Sequence, residues 1–489
     1  MIATQSIGMQ PFYYNYKGNR RTIATSVRQL AERGFPMEIN YKAIPSFLMY
    51  QYSIGGSTLL KDIGVSQPNQ IRALQESEPE LGEELLPLRL LNLISRSIAK
   101  KTEKSQRIGL LLSGGLDSSV VSAVTTTVHR DKVQDAFTAT FRGHSELGAA
   151  TSVAEHLGLT LHEIPVTASM VAGSIEDITA LYEEPLGDAA LINNYFLCKT
   201  ASPYVDTVLC GDGGDEIFGG YPWHHYAKYI PWMNWTPLWL RKLAQRLVTG
   251  NPTTANRNRL ERILLFPAQL SLDSMLLYPT TAMSYQNVEW LLKSDACDYS
   301  FVSNSYEDVY DKALAMDCLN TLPGKFMMKA NKFSPPAIYS PLIDEDIISF
   351  AFGLPQEMRK DKYILRKAVE SMLPPKTVWR RKAGFGTPIA SWLNSDELQP
   401  MVLDKLENGK LLNEICRKWA LAEVVDALRA GKVNSTGAAA LGLLNVVWGL
   451  FSLQVWHDVF PMKTRGKKQE GGSVTCPRNL LTVRLSRPR

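Results

Sequence analysis

A doubly wound parallel α/β sheet is the fold class this sequence predicts, and three observations predict it. Apolar, strand-like runs at 108–112, 136–141, 161–166 and the start of 205–216 alternate with helical stretches, the order that parallel sheets require. Two of these runs end in glycine-rich turns crowded with polar groups, SGGLDSS and CGDGGDE. Turns of that kind at the carboxyl ends of strands are where open α/β sheets hold ligands. Ahead of the first run, LLPLRLLNLISRSIAKKTEK places apolar residues at three- and four-residue spacing and ends basic, as an amphipathic helix does.

The rest of the chain arranges itself around that sheet. Residues 1 to about 70 read as short β segments, PFYYNY and then RTIATSV after the Lys17-Gly18-Asn19 turn. Beyond Gly220 the pattern is mainly helical and irregular up to a C-terminal helix near Trp456. The longest apolar stretch, Leu441 to Trp456, is broken by Gly442, Asn445, Gly449 and Gln454; it is too short to span a bilayer and reads as a buried helix. Three units are therefore expected: a small β-rich portion at 1–80, the α/β body with helical additions at 81–462, and a basic tail at 463–489.

Composition narrows the function classes. The net charge of +5 is set by the tail, where Lys463 to Arg489 hold eight Lys/Arg and one Glu, leaving the other 462 residues at −2. A basic nucleic-acid surface is thus not expected of the folded body, and the tail, polar and without period, is read as disordered. The six cysteines show no metal-like spacing, and no signal peptide is read at the start. A cytoplasmic protein without membrane or nucleic-acid partners is expected.

The loop Ser113-Gly114-Gly115-Leu116-Asp117-Ser118-Ser119 lies directly between a strand and a helix. Its glycines let backbone N–H groups approach an anion, its hydroxyls add donors, and the helix N-terminus favours negative charge. There is no GxxxxGK[ST]; the loop looks instead like that of the ATP pyrophosphatases (adenine nucleotide α-hydrolase-like), which cleave ATP to AMP and PPi. In the second turn, Asp212, Asp215 and Glu216 put three carboxylates within five residues at a strand end. Carboxylates beside a triphosphate call for a hard cation, and Mg²⁺ takes oxygen ligands; Asp117 and Asp215 are the expected metal residues.

SGGLDSS, followed 98 residues on (Asp117 to Asp215) by GDGGDEIFGGY, and then KYILRKAVESMLPPKTVWRRKAGFGTPIASWL at 362–393 and a helix ending WHDVF, together resemble the asparagine synthetase (glutamine-hydrolysing) family over roughly residues 90–460. The resemblance implies an ATP-dependent carbon–nitrogen ligase that adenylates a carboxylate and passes it to ammonia or an amine, with ATP and Mg²⁺ as cofactors. It implies that Leu111, Ala139 and Gly211 contact adenine and ribose through backbone. Ser113, Gly114, Gly115, Asp117, Ser118 and Ser119 would hold pyrophosphate. Lys362 would stabilise charge on the α-phosphate and acyl oxygen, and Asp212 would help the amine lose its proton. Arg366, Arg380, Arg381 and Lys382 are open between phosphate contacts and surface charges.

Three departures qualify the resemblance. Gly8-Met9-Gln10-Pro11-Phe12-Tyr13-Tyr14 is similar to the last part of the family's N-terminal glutaminase domain, but that domain's N-terminal cysteine is absent: the chain opens Met1-Ile2 and its first cysteine is Cys198. Glutamine hydrolysis is not expected, and a separate glutaminase subunit or an external amine would supply nitrogen. The segment EEPLGDAALINNYFL (183–197) lacks the arginine that would grip an aspartate α-carboxylate, and FSPPAIYSPLID (333–344) lacks the usual Glu-x-Arg. Asparagine formation, macrolactam closure of the lasso-peptide kind, and a non-catalytic homologue all remain open. A tRNA-modifying relative would want a basic surface or cysteines near the loop. A homodimer, usual in the family, is a further expectation.

Overall fold

The computed structural model describes residues 4–5, 12–15, 22–68, 82–141, 146–234, 236–237, 239–240, 272–294, 301–302, 304–327, 332, 336–381, 386–434 and 438–460. The tail expected to be disordered, and Lys382, lie outside them.

At the start, β1 (Tyr13–Asn15), β2 (Thr22–Ala24) and β3 (Ile63–Val65) form a small antiparallel sheet in the order β2-β1-β3. Between them, α1 (Val27–Glu32) starts at Ser26, whose side chain caps the Gln29 N–H. The helix α2 (Leu86–Lys101) then buries Leu90, Leu93, Ile94 and Ile98, the one-sided stripe its spacing predicts.

The main sheet follows: β4 (Ile108–Leu111), α3 (Leu116–Val128), β5 (Val133–Thr140), α4 (Leu147–Leu157) and β6 (Thr160–Pro165). After α5 (Ile175–Tyr182) and α6 (Ala190–Ala201) come β7 (Thr207–Leu209) and, much later, β8 (Ala337–Tyr339). All pairings are parallel and the order is β8-β7-β4-β5-β6. The chain therefore leaves β4 in both directions, and the reversal falls between β4 and β7. β8 was not foreseen: the sequence beyond Gly220 read as helical and irregular.

Alternate residues of each strand feed two cores. Ala136 and Leu209 join Ile108 and Leu110 against α2 and α3. Their neighbours Phe137 and Val208 face the opposite side, where α6 and the C-terminal helices pack. Gly109 is obligatory there, since a Cβ would run into Phe137 and Val205. The helices thus cover both faces, as doubly wound folds require. Lys362 closes the cleft ahead of α7 (Tyr363–Val369), and α8 (Ala438–Val459) is buried at every position from Val446 to Trp456, with Val447, Trp448, Phe451 and Trp456 no more than 1% exposed. The buried helix expected at 441–456 is found over 446–456, with 442–445 half-buried, and among the described residues no helix is long and apolar enough to cross a membrane.

The N-terminal sheet shares the α6 and α8 core: Tyr13, Val27, Leu30 and Phe47 belong to the same apolar cluster as Phe196 and Trp456. A buried polar seam adds to it. The Glu183 carboxylate accepts the Val27 N–H at 3.0 Å and the Arg28 N–H at 3.1 Å, and pairs with Lys332 Nζ at 2.7 Å. Trp456 Nε1 donates to the Glu183 carbonyl at 3.0 Å.

Candidate active site at the sheet switch point

Because β4 and β7 are neighbours in register (Leu110 opposite Leu209), the turns that follow them emerge side by side. This is the switch point, where the adjoining connections go to opposite faces and leave a crevice. A cleft of about 1020 Å³ opens there. Leu111, Ser113, Gly115, Asp117, Ser118, Ala139, Gly211, Asp212 and Asp215 line it, and Lys362 closes one side.

The first turn is built by its own hydroxyls. Ser118 Oγ lies 3.1 Å from Ser113 Oγ and donates to the Gly115 carbonyl at 3.1 Å. Gly114 adopts φ +73°, and a Cβ there would strike the Ala149–Ala150 backbone of α4, so only glycine makes the turn. Ser119 is fully buried, with Oγ donating to the Gly115 carbonyl at 2.7 Å. Gly114 and Ser119 thus shape the loop from behind, whereas Ser113, Gly115 and Ser118 face the cleft.

The second turn presses against the first. A side chain at Gly211 would collide with the Asp117–Ser118 backbone, one at Gly214 with the Asp117 carboxylate, and one at Gly220 with Asp215 and Lys362. The glycines of GDGGDEIFGG are what allow three charged groups to meet. Lys362 Nζ lies 2.5 Å from Asp117 Oδ2 and 2.7 Å from Asp215 Oδ1 while the residue is only 5% exposed. Burial pulls the Lys362 pKa down, but the attraction of Asp117 and Asp215 outweighs it and leaves the pKa above the usual lysine value. The triad carries a net −1 charge, and Glu216 beside it has its pKa pushed up to about 8, chiefly by burial and then by Asp215.

Asp212 is held differently. Ser340 Oγ, just past β8, donates to its carbonyl at 2.5 Å, and the Cys210 thiol, which burial keeps protonated, donates to its Oδ2 at 3.4 Å. Its carboxylate is thereby placed on the cleft wall, away from Lys362's pairing. The unforeseen strand β8 is what puts Ser340 there.

Arg366, Arg380 and Arg381, left open by the sequence between phosphate contacts and surface charges, line one side of the cleft. The sequence reading missed Tyr363 and Trp379 on that side, and Asp188 and Asn194 on the wall contributed by 183–197. Segment 183–197 had been singled out for substrate selection, so a signal existed; Trp379, in the middle of a basic run, gave none.

Asp117 and Asp215 offer hard oxygen donors in a pocket of excess negative charge, which fits a Mg²⁺ that keeps phosphate oxygens and waters as its other ligands. Among the described residues there is no cluster of three or more His, Cys, Asp or Glu able to hold a metal by themselves; a site completed by a nucleotide is the arrangement the two carboxylates suit.

Comparison with known proteins agrees with this geometry. The asparagine synthase family model matches residues 89–458. Asparagine synthetase [glutamine-hydrolyzing] 1 of Bacillus subtilis is 22% identical over 488 residues, covering 94% of this chain and 75% of that protein. Asparagine synthetase B of Escherichia coli is 35% identical over 136 residues, 24% of each chain. Among solved structures, an NMN synthetase from Francisella tularensis overlaps 29% of this chain and 60% of its own, at 18% identity and a TM-score of 0.22; the strand order above, not that overlap, defines the fold.

Proposed function

The chain belongs to the asparagine synthase family over residues 89–458, and from that premise we propose that it adenylates a carboxylic acid with ATP and transfers the acyl group to ammonia or an amine. The observation that carries this reading is the meeting of Asp117, Asp215 and Lys362 at the mouth of the SGGLDSS loop. Cleavage at the α-phosphate leaves pyrophosphate with dense negative charge, and that is where the fold concentrates helix dipole, loop N–H groups and a buried ammonium.

In the first step a carboxylate oxygen attacks the α-phosphorus, the bond to the β,γ-phosphates breaks, and acyl-AMP and PPi form. Ser113, Gly115 and Ser118 hold the departing PPi. Lys362, whose ammonium is held between Asp117 and Asp215, stabilises the charge that develops on the α-phosphate and acyl oxygen. Mg²⁺, when bound by Asp117 and Asp215, neutralises phosphate charge. In the second step the nitrogen attacks the acyl carbon, AMP leaves with the former carboxylate oxygen, and Asp212 takes the proton the nitrogen loses. Leu111, Ala139 and Gly211 border the nucleotide side.

A second observation bears on the acid. The 183–197 wall presents Asp188 and Asn194 to the cleft, and no arginine stands in that segment. A free α-carboxylate finds no cation on this wall, which favours an acid whose α-carboxyl is already in amide linkage, as in a peptide cyclised through a side chain. ATP–[³²P]PPi exchange in Mg²⁺ with aspartate, glutamate and side-chain acids of peptides tests both readings. Exchange with aspartate alone selects asparagine formation, and exchange requiring a peptide selects macrolactam formation. With ATP bound and no acid supporting exchange, adenylation is wrong. Turnover with ammonium salts but not with glutamine alone is the expected nitrogen pattern.

A further inference from the structure

Lys362 sits in an unusual turn. Asp361 and Lys362 are consecutive non-glycine residues in the left-handed region, at φ +54° and +60°. Such a pair persists only where its surroundings hold it. Three groups do so here. The Lys362 N–H donates to the Phe218 carbonyl at 3.0 Å. His225 Nε2 lies 2.9 Å from the Asp361 carboxylate. Arg366 Nε donates to the Asp361 carbonyl at 2.9 Å.

The Arg366 guanidinium does more than close this turn. Its Nη1 donates to the Val378 carbonyl and, at 3.4 Å, to the Arg380 carbonyl, and its plane lies 5.7 Å from the centre of the Trp379 ring. Arg380 continues the path: Nη1 donates to the Gly114 carbonyl at 3.2 Å and Nη2 meets Glu146 Oε1 at 3.3 Å. Gly114 is the left-handed glycine of the pyrophosphate loop, and Glu146 directly precedes α4, whose first turn packs on that glycine. A continuous route of guanidinium-to-carbonyl bonds therefore runs from the Lys362 turn to the loop.

Both arginines lie in the cleft wall, yet the donors named above point at backbone carbonyls and at Glu146. We propose that Arg366 and Arg380 are positioning residues that strap the Lys362 turn to the pyrophosphate loop, setting the spacing between the buried ammonium and the phosphate cradle. The proposal rests on the adenylation reading for its catalytic meaning but not for its geometry. What matters in such a strap is the planar fork of donors, which lysine cannot reproduce; in a phosphate contact, what matters first is charge, which lysine keeps.

Full-length Arg366→Lys and Arg380→Lys, with Arg366→Gln as the uncharged control, distinguish the two. The strap predicts that exchange at saturating ATP falls roughly tenfold or more in each variant, since small misplacements are costly to rate. KM for ATP shifts less than about threefold, and lysine at 366 rescues no better than glutamine. A rise in KM for ATP at unchanged maximal rate, with lysine restoring most of the loss, overturns the proposal. Hydrogen exchange gives a readout that needs no substrate acid. Amides of 360–363 should lose protection in Arg366→Lys and those of 113–116 in Arg380→Lys, while the melting temperatures show both folded. Unchanged protection in both segments overturns the strap even where wild type exchanges no PPi, an outcome that would count separately against adenylation. The Arg380 variant keeps the test alive where the Arg366 variant does not fold.

Discussion

Two of the regions in which this molecule buries charged groups do so to different ends. At the seam between the N-terminal sheet and the body, Glu183 is enclosed: it caps α1, pairs with Lys332 at 2.7 Å, and is roofed by Trp456. At the switch point, Asp117, Asp215 and Lys362 are packed as tightly but line an open cleft of about 1020 Å³. The seam spends its carboxylate on backbone N–H groups it will never release. The cleft keeps one negative charge in excess and holds its lysine on a strained turn. Neither burial of charge nor a left-handed backbone, which Glu183 shares at φ +62°, marks a site by itself; burial beside a cavity, with charge unbalanced, does.

Removing Glu183 should show the seam's purpose. Glu183→Ala leaves Lys332 and two α1 N–H groups without their acceptor and is expected to cost about 3–5 kcal/mol of stability, read by denaturant unfolding, with exchange per folded molecule nearly unchanged. Lys362→Ala should do the opposite. Exchange is expected to fall about 100- to 1000-fold, as when one charge-stabilising donor is deleted, while ATP binding measured by equilibrium dialysis persists. With two buried carboxylates then lacking their ammonium, Mg²⁺ should raise the variant's melting temperature more than it raises the wild type's. If Glu183→Ala abolished exchange while stability held, the division between the regions would collapse.

Gly214→Ala is the next largest. Its methyl would meet the Asp117 carboxylate, so a stability loss of about 1–3 kcal/mol from overpacking should come with a clear fall in exchange. The smallest effect lies at the seam's other acid. Glu184 accepts from the Tyr13 hydroxyl at 3.1 Å, and burial raises its pKa above the usual 4.5 despite Lys332. The folded state therefore holds the Glu184 proton more firmly than the unfolded chain does. This contribution is full below pH 4.5 and is lost as pH rises through the raised value. Glu184→Gln should flatten that part of the stability–pH curve without touching exchange.

The sequence made the switch point legible because its two turns are local patterns, strand then glycines then acids, and local patterns survive without tertiary information. Four strands of the main sheet were visible for the same reason. β8 was not: a three-residue strand in the four-residue gap between Pro336 and Pro341 has no room for a period. Nor could the sequence tell which serine of 118 and 119 faces the anion, since both follow the same glycines and only the helix rotation separates them. The partners of Lys362 lie 245 and 147 residues away, so its pairing belongs to the fold alone. The roles of Arg366 and Arg380 were undecidable for that reason as well; their carbonyl partners appear only once the turns are assembled.

The central claim is that a carboxylate is activated as its adenylate in this cleft. Once exchange has identified an acid, that acid labelled with ¹⁸O in its carboxylate tests the claim most directly, turned over with ATP, Mg²⁺ and ammonium. Acyl-AMP formation followed by attack of nitrogen leaves one labelled oxygen in the phosphate of AMP. Label recovered in inorganic phosphate, with ADP as the nucleotide product, would contradict it.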